Sequence, residues 1–298
     1  MEGKTQMKKS LIFRGVATAL ATPFDEKGID YNALTKMIEY QLTNGVDALV
    51  VCGTTGEAST LSIEEKKELI SFSVRQVRSR VPVIAGTGAN DTKKACELSE
   101  FAADIGVDAL LVVTPYYNKC TQKGLVAYYN EISASSGLPF IVYSVPARTG
   151  MKIEPETALK LSENEKCVGF KDAGDSISDT ARTIALCGEA LPIYSGNDDR
   201  ILPVLSLGGK GVISVMSNLI PKEVKRLCSL FFDGDVRRSA ELQTALNPLC
   251  EQLRSEVNPI PLKAALAEIG LCKNILRSPL TTLSPENKEN LLRVIREL

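Results

Sequence analysis

Lys171 closes the short run Cys167-Val168-Gly169-Phe170, which reads as a buried strand, and a lysine in that place needs a chemical reason. Burial disfavours the ammonium form and supplies the neutral amine that attacks a carbonyl. Two further cassettes put polar groups at or just past a strand's end: Gly53-Thr54-Thr55-Gly56-Glu57 and Tyr143-Ser144-Val145-Pro146-Ala147-Arg148-Thr149-Gly150. Paired hydroxyls and backbone N–H groups between glycines can hold a carboxylate without a formal positive charge. A strand-tip lysine joined by hydroxyls and an arginine suggests imine chemistry on a keto acid.

Each of these residues also has a plainer reading. Lys171 could instead pair structurally with Asp172 or Asp175, and Gly53–Glu57 could be a tight strand–helix turn. Tyr143, Tyr116 and Tyr117 could shuttle protons through a threonine hydroxyl, or serve as packing and interface aromatics. Arg148 could clamp a second carboxylate bidentately or lie exposed on a loop. Gly196-Asn197-Asp198 and Gly208–Gly211 read as turns where backbone approaches a ligand or a neighbouring strand.

The chain has no histidine, which removes Ser-His-Asp and Cys-His machinery and histidine-ligated zinc. Acid–base work then falls to Lys, Tyr, Asp, Glu or Cys. Lys+Arg total 35 and Asp+Glu 36, a formal charge of −1, so there is no basic field for nucleic acid or acidic lipid. Eight scattered cysteines without a CxxC pair read as free thiols in a reducing compartment, with Cys120 the one expected to be exposed and reactive. No run approaches the roughly 20 apolar residues of a membrane span, and the expected location is the cytoplasm. Met7–Phe13 reads as a first barrel strand, not as a cleaved leader.

The elements that must position these groups alternate along the chain. Strands are expected at 15–20, 47–52, 81–85, 107–113, 139–143, 168–171, 192–195 and 211–215, with helices between them and one near Pro221. The strands are continuous Val/Ile/Leu runs without alternation, as when both faces are covered. Eight strand–helix units predict an α/β fold of the (β/α)8 TIM-barrel type, which brings the strand ends together on one face. Residues 11–222 are assigned to the barrel and 223–298 to a C-terminal helical extension, with helices at 223–232, 236–257 and 285–298.

Taken together, the cassettes resemble the class I pyruvate-dependent aldolases and synthases typified by dihydrodipicolinate synthase, with sialic acid lyase a related member. The likeness runs through Thr22-Pro23-Phe24, Gly53–Glu57, Ala85–Asn90, Thr114–Asn118, Tyr143–Gly150, Lys171, Ser195–Asp198 and Asn258-Pro259-Ile260-Pro261. By that resemblance Lys171 forms the Schiff base with pyruvate, and Thr55 with the backbone of Thr54 holds its carboxylate. Tyr143, Thr54 and Tyr117 form a proton relay, with Tyr117 reaching in from a neighbouring subunit. Arg148 receives the carboxylate of aspartate semialdehyde, and Gly196 and Ile213 line the pyruvate pocket. The implied assembly is a homotetramer built as a dimer of dimers, and no metal, nucleotide or flavin cofactor is implied.

Three details within the family favour the synthase: the second threonine of the first cassette, Tyr116-Tyr117-Asn118, and Arg148. The departures are Ser144, where the family has asparagine, and Asp172-Ala173-Gly174-Asp175. Ser144 is expected to face away from the site. Lysine-inhibited members carry histidines and a glutamate at positions that here hold Ile63, Lys66 and Lys94, so inhibition by lysine is expected to be weak or absent. Two rival readings are a lyase for sialic or other 2-keto-3-deoxy sugar acids, for which Arg148 discriminates, and an inactive keto-acid-binding barrel.

Overall fold

The computed structural model describes residues 9–297; Met7 and Lys8 lie outside the described residues. Eight parallel strands close into a barrel. In chain order they are β1 (Gly15–Ala19), β2 (Ala48–Val51), β3 (Val83–Gly86), β4 (Ala109–Val113), β5 (Phe140–Ser144), β6 (Cys167–Asp172), β7 (Ile193–Ser195) and β8 (Gly211–Ser214). Each pairs with the next, and β8 pairs back onto β1 through Gly15 opposite Gly211. A small antiparallel ribbon, Phe24–Asp25 with Gly28–Ile29, follows β1.

The outer helices begin where the sequence offers side-chain caps. Asp30 caps α1 (Tyr31–Thr43), and Ser62 with Glu65 forms a capping box on α2 (Ile63–Val77). Asp91 caps α3 (Thr92–Asp104) and Thr121 caps α4 (Gln122–Ser136), which ends at left-handed Gly137. A four-residue turn, α5 (Pro146–Thr149), lies inside the second cassette and precedes α6 (Pro155–Ser162). Then come α7 (Ile177–Cys187), α8 (Ile201–Ser206) and α9 (Pro221–Phe232).

Behind these pack α10 (Val236–Gln252), α11 (Ile260–Glu268) and α12 (Pro285–Arg296). The helix expected near Pro221 and the one expected at 223–232 are a single helix, α9, with Pro221 in its first turn and no breaker between them. The helix expected at 236–257 ends at Gln252. The additional helix α11 follows Asn258-Pro259 and is buried on all sides, which erases the amphipathic pattern that marks surface helices.

Two cores result. One lies between strands and helices; the other fills the barrel with Ala17, Val50, Ile84, Leu111, Ile141, Tyr194 and Ile213. Residues 11–13 form no strand. Phe13 instead enters the barrel interior ahead of β1, stacking on Tyr194 with ring centroids 4.4 Å apart and accepting the Tyr194 hydroxyl on its carbonyl at 2.8 Å.

Candidate active site

Lys171 faces into the barrel because of a register irregularity. The β5–β6 pairing slips between Phe140 and Ile141, after which Gly169 stands opposite Ile141, Phe170 opposite Val142 and Lys171 opposite Tyr143. Gly169 points inward, where a Cβ would meet the Tyr194 ring at 3.0 Å, and Phe170 points out to the helix layer. The next inward position is Lys171, 5% exposed. Its Nζ lies 4.2 Å from the centroid of the Tyr143 ring.

Neither acid that could have neutralised this lysine does so. Asp172 turns outward, where its carboxylate accepts from the Gly174 N–H at 2.9 Å and the Thr180 hydroxyl at 2.6 Å. Asp175 is exposed and faces Arg200 at 3.9 Å. Just beyond Lys171, β6 and β7 run so close that a Cβ on Gly196 would sit 2.7 Å from that of Ala173. The Gly196 N–H donates to the Asp172 carbonyl at 2.7 Å, which accounts for the glycine by close approach.

At the carboxyl ends of the strands lies a cavity of about 330 Å³, lined among others by Gly53, Thr54, Glu57, Tyr116, Tyr143 and Arg148. Of the residues singled out from sequence, Thr54, Lys66, Tyr116, Tyr143 and Arg148 line it directly. Lys171 is not itself part of the lining but stands against the ring of Tyr143, which is. Thr55 is buried beneath, its hydroxyl accepting from the Asn258 amide at 3.1 Å. Ile213 is buried inside the barrel on β8, and Gly196 lies past the end of β7, both outside the lining of this cavity.

Tyr117 is the outlier. It is 88% exposed, holds a left-handed backbone (φ 70°), and stands outside the cavity of its own chain. Ser144 faces away from the cavity, its hydroxyl accepting from the Ile153 N–H at 3.3 Å. Cys120 is, with Cys272, one of the two cysteines that are not fully buried, but it is half-buried against the core, and burial raises its thiol above the ordinary range, which opposes the expected reactivity.

Sequence reading missed the contribution of the C-terminal region. Val257, Asn258, Pro259, Pro279 and Leu280 form one wall of the cavity. The carbonyl of Asn258 accepts from Arg148 Nη2 at 3.1 Å while its amide holds Thr55. In the sequence, Asn258-Pro259 stands out only as part of the family likeness. Among the described residues no group of three or more His, Cys, Asp or Glu is arranged to hold a metal ion, and no helix is long and apolar enough to cross a membrane.

The model of the Dihydrodipicolinate synthetase family matches residues 12–298. A 4-hydroxy-tetrahydrodipicolinate synthase of Thermoanaerobacter sp. (strain X514) is 46% identical over 285 residues, covering 95% of this chain and 96% of its own. The crystal structure of dihydrodipicolinate synthase from Thermotoga maritima is 43% identical with a TM-score of 0.94, covering 96% of this chain and 98% of its own. That of the enzyme from Cyanidioschyzon merolae with lysine bound is 36% identical with a TM-score of 0.93, covering 96% and 98%.

Proposed function

The chain belongs to the Dihydrodipicolinate synthetase family, and from that membership we propose how its site performs the 4-hydroxy-tetrahydrodipicolinate synthase reaction. The enzyme is a lyase of the class I aldolase type that condenses pyruvate with aspartate semialdehyde. The observation that carries the assignment of roles is the inward-facing Lys171, free of any acidic partner within salt-bridge distance among the described residues and set against the Tyr143 ring.

The Lys171 amine attacks C2 of pyruvate, and the carbinolamine loses water to give the imine. Proton loss from C3 then gives the enamine. Tyr143 and Thr54, which line the cavity beside the lysine, carry these protons, and Tyr117 of a second copy completes the relay. The 88% exposure of Tyr117 on its own chain supports that role, because an aromatic so placed is available to a neighbour. Thr55 and the Thr54 N–H hold the pyruvate carboxylate; Gly196 and Ile213, which lie outside the lining of this cavity, are given to the pyruvate pocket by the family resemblance alone.

The enamine carbon bonds to the aldehyde carbon of aspartate semialdehyde, whose carboxylate is held by Arg148 at the cavity wall. The amine of the adduct then attacks the imine carbon and expels Lys171 by transimination, closing the ring of 4-hydroxy-tetrahydrodipicolinate. Each step is proton transfer or carbonyl addition, within the reach of lysine, tyrosine and threonine. The assembly that gives Tyr117 its partner site is a homotetramer, working in the cytoplasm. Lysine, bound by the Cyanidioschyzon merolae enzyme, inhibits this one weakly or not at all.

The test combines turnover with trapping. Purified enzyme given pyruvate and aspartate semialdehyde, coupled to an NADPH-dependent reductase, should form product, and Lys171→Ala should not. Borohydride added with pyruvate should leave a mass adduct on the peptide that carries Lys171. A folded protein that gains no adduct would remove the Schiff-base reading; an adduct without turnover would move the second substrate to a sugar-derived keto acid.

A further inference from the structure

Glu57 ends the Gly53–Glu57 turn in a left-handed backbone conformation, φ 53°, which a glutamate keeps only where its surroundings over-determine it. The side chain is 2% exposed. One carboxylate oxygen lies 2.5 Å from Lys263 Nζ, and the other accepts from the Arg277 N–H at 3.0 Å. Lys263 is 0% exposed, in the otherwise apolar stretch Ile260–Leu266 of α11. Its ammonium donates to the Ile275 carbonyl at 2.8 Å and stands 4.0 Å from the centroid of the Phe24 ring. Desolvation lowers the Lys263 pKa, an effect opposed by Glu57.

The reaction derived above uses neither charge. A buried ion pair is also poor evidence for stability, since apolar residues of like volume often do as well or better. What such a pair does supply is a single allowed register between the segments it joins, because sliding either one leaves a charge buried and unpartnered.

Those segments are the ones that set the binding groups. Thr55 lies two residues before Glu57, and Asn258 lies five before Lys263. Asn258 donates to the Thr55 hydroxyl and accepts from Arg148, while Val257 and Pro259 beside it wall the cavity. We propose that Glu57 and Lys263 act as a buried positioning pair that docks α11 on the Gly53–Glu57 turn, so that Asn258 orients Thr55 and Arg148 for the two substrate carboxylates. The inference rests on the roles given to Thr55 and Arg148 under Proposed function. It makes the C-terminal helices part of the binding site.

The experiment compares Glu57→Gln, Lys263→Met and the double variant E57Q/K263M, which buries no charge at either position. Melting, steady-state kinetics in each substrate and borohydride titration of active sites are measured on each. The double variant is expected to fold and to form the pyruvate adduct in full at saturation. Its KM for both substrates should rise about 10- to 100-fold, the scale of a small misplacement of binding groups, with kcat within about threefold of the parent. A folded double variant with parental KM values overturns the proposal. So does one that loses kcat in step with its titrated sites, which is the signature of stability alone, and so does one that cannot fold, since a pair that only sets register is dispensable to folding. Failure of the parent enzyme to turn over or trap pyruvate would instead strike the functional reading beneath it.

Discussion

Lys171 and Tyr143 stand opposite one another across the β5–β6 ladder, and the lysine Nζ lies 4.2 Å from the centroid of the tyrosine ring. The ring therefore forms one wall of the lysine's surroundings, and the same residue lines the cavity. Packing and proton transfer can be separated by removing one atom. Tyr143→Phe should keep the melting temperature and the pyruvate adduct at equilibrium. It should lower kcat about 10²- to 10³-fold, the usual worth of a positioned acid–base group. Loss of stability in step with activity would make Tyr143 a packing residue.

Arg148 is exposed at the turn α5, lines the cavity, and has Nη2 held by the Asn258 carbonyl. A planar fork is needed to hold a carrier residue with one nitrogen and a carboxylate with the others, and a lysine ammonium does not offer it. Arg148→Lys is expected to raise KM for aspartate semialdehyde at least about tenfold, the equivalent of about 1.4 kcal/mol, and to leave KM for pyruvate within about twofold. Equal rises in both constants would show that Arg148 shapes the site as a whole and clamps no particular substrate.

The barrel was legible because its strands are runs such as Ala48–Val51 and Ala109–Val113, too apolar and too short to be anything but strands covered on both faces. Lys171 was legible for the same reason, as a charge at the end of such a run. What escaped was everything that depends on contact between distant segments. Lys263 lies in a helix with no polar face to announce it, and Glu57 reads locally as the last residue of a turn. Only their meeting at 2.5 Å explains both. Local sequence did carry one unused hint: a lone lysine in Ile260–Leu266 is as anomalous as Lys171 in its strand, and calls for a partner by the same argument. The inward turn of Lys171 itself also depends on the slip between β5 and β6, which no periodicity in Val168–Lys171 could reveal.

Asp198, just past β7, has one carboxylate oxygen accepting from the Val215 and Met216 N–H groups at 3.0 and 2.8 Å, and the other buried without a hydrogen-bond partner. Burial raises its pKa, against the opposing pull of the Ser214 hydroxyl and those two N–H groups. The folded value thus stands above that of the unfolded chain, about 3.9. The stability tied to this carboxyl is fully present below the unfolded value and is lost as pH rises through the folded one. Asp198→Asn keeps an oxygen for the two N–H groups and cannot ionise. It should therefore be at least as stable as the parent in urea at pH 7, with its advantage shrinking toward pH 4. An advantage that grows on acidification would reverse the assigned sign.

The charge that Lys66 and Lys94 carry bears on whether free lysine inhibits. Lys66, on α2, is half-buried and lines the cavity, and burial lowers its pKa, with repulsion from Lys94 of α3 acting in the same direction. Two cations that already repel each other offer nothing to the ammonium groups of free lysine, and Ile63 at the start of α2 adds no acceptor. At about 1 mM lysine, a concentration that would saturate a micromolar site, the initial rate should fall by less than about twofold. Lys94→Glu combined with Lys66→His, which replaces one cation by an anion and the other by a mostly neutral ring, should increase inhibition, and the increase should diminish with added salt. Inhibition of the parent at low micromolar lysine would mean that the effector binds away from these two residues, and the repulsion argued from them would carry no regulatory weight.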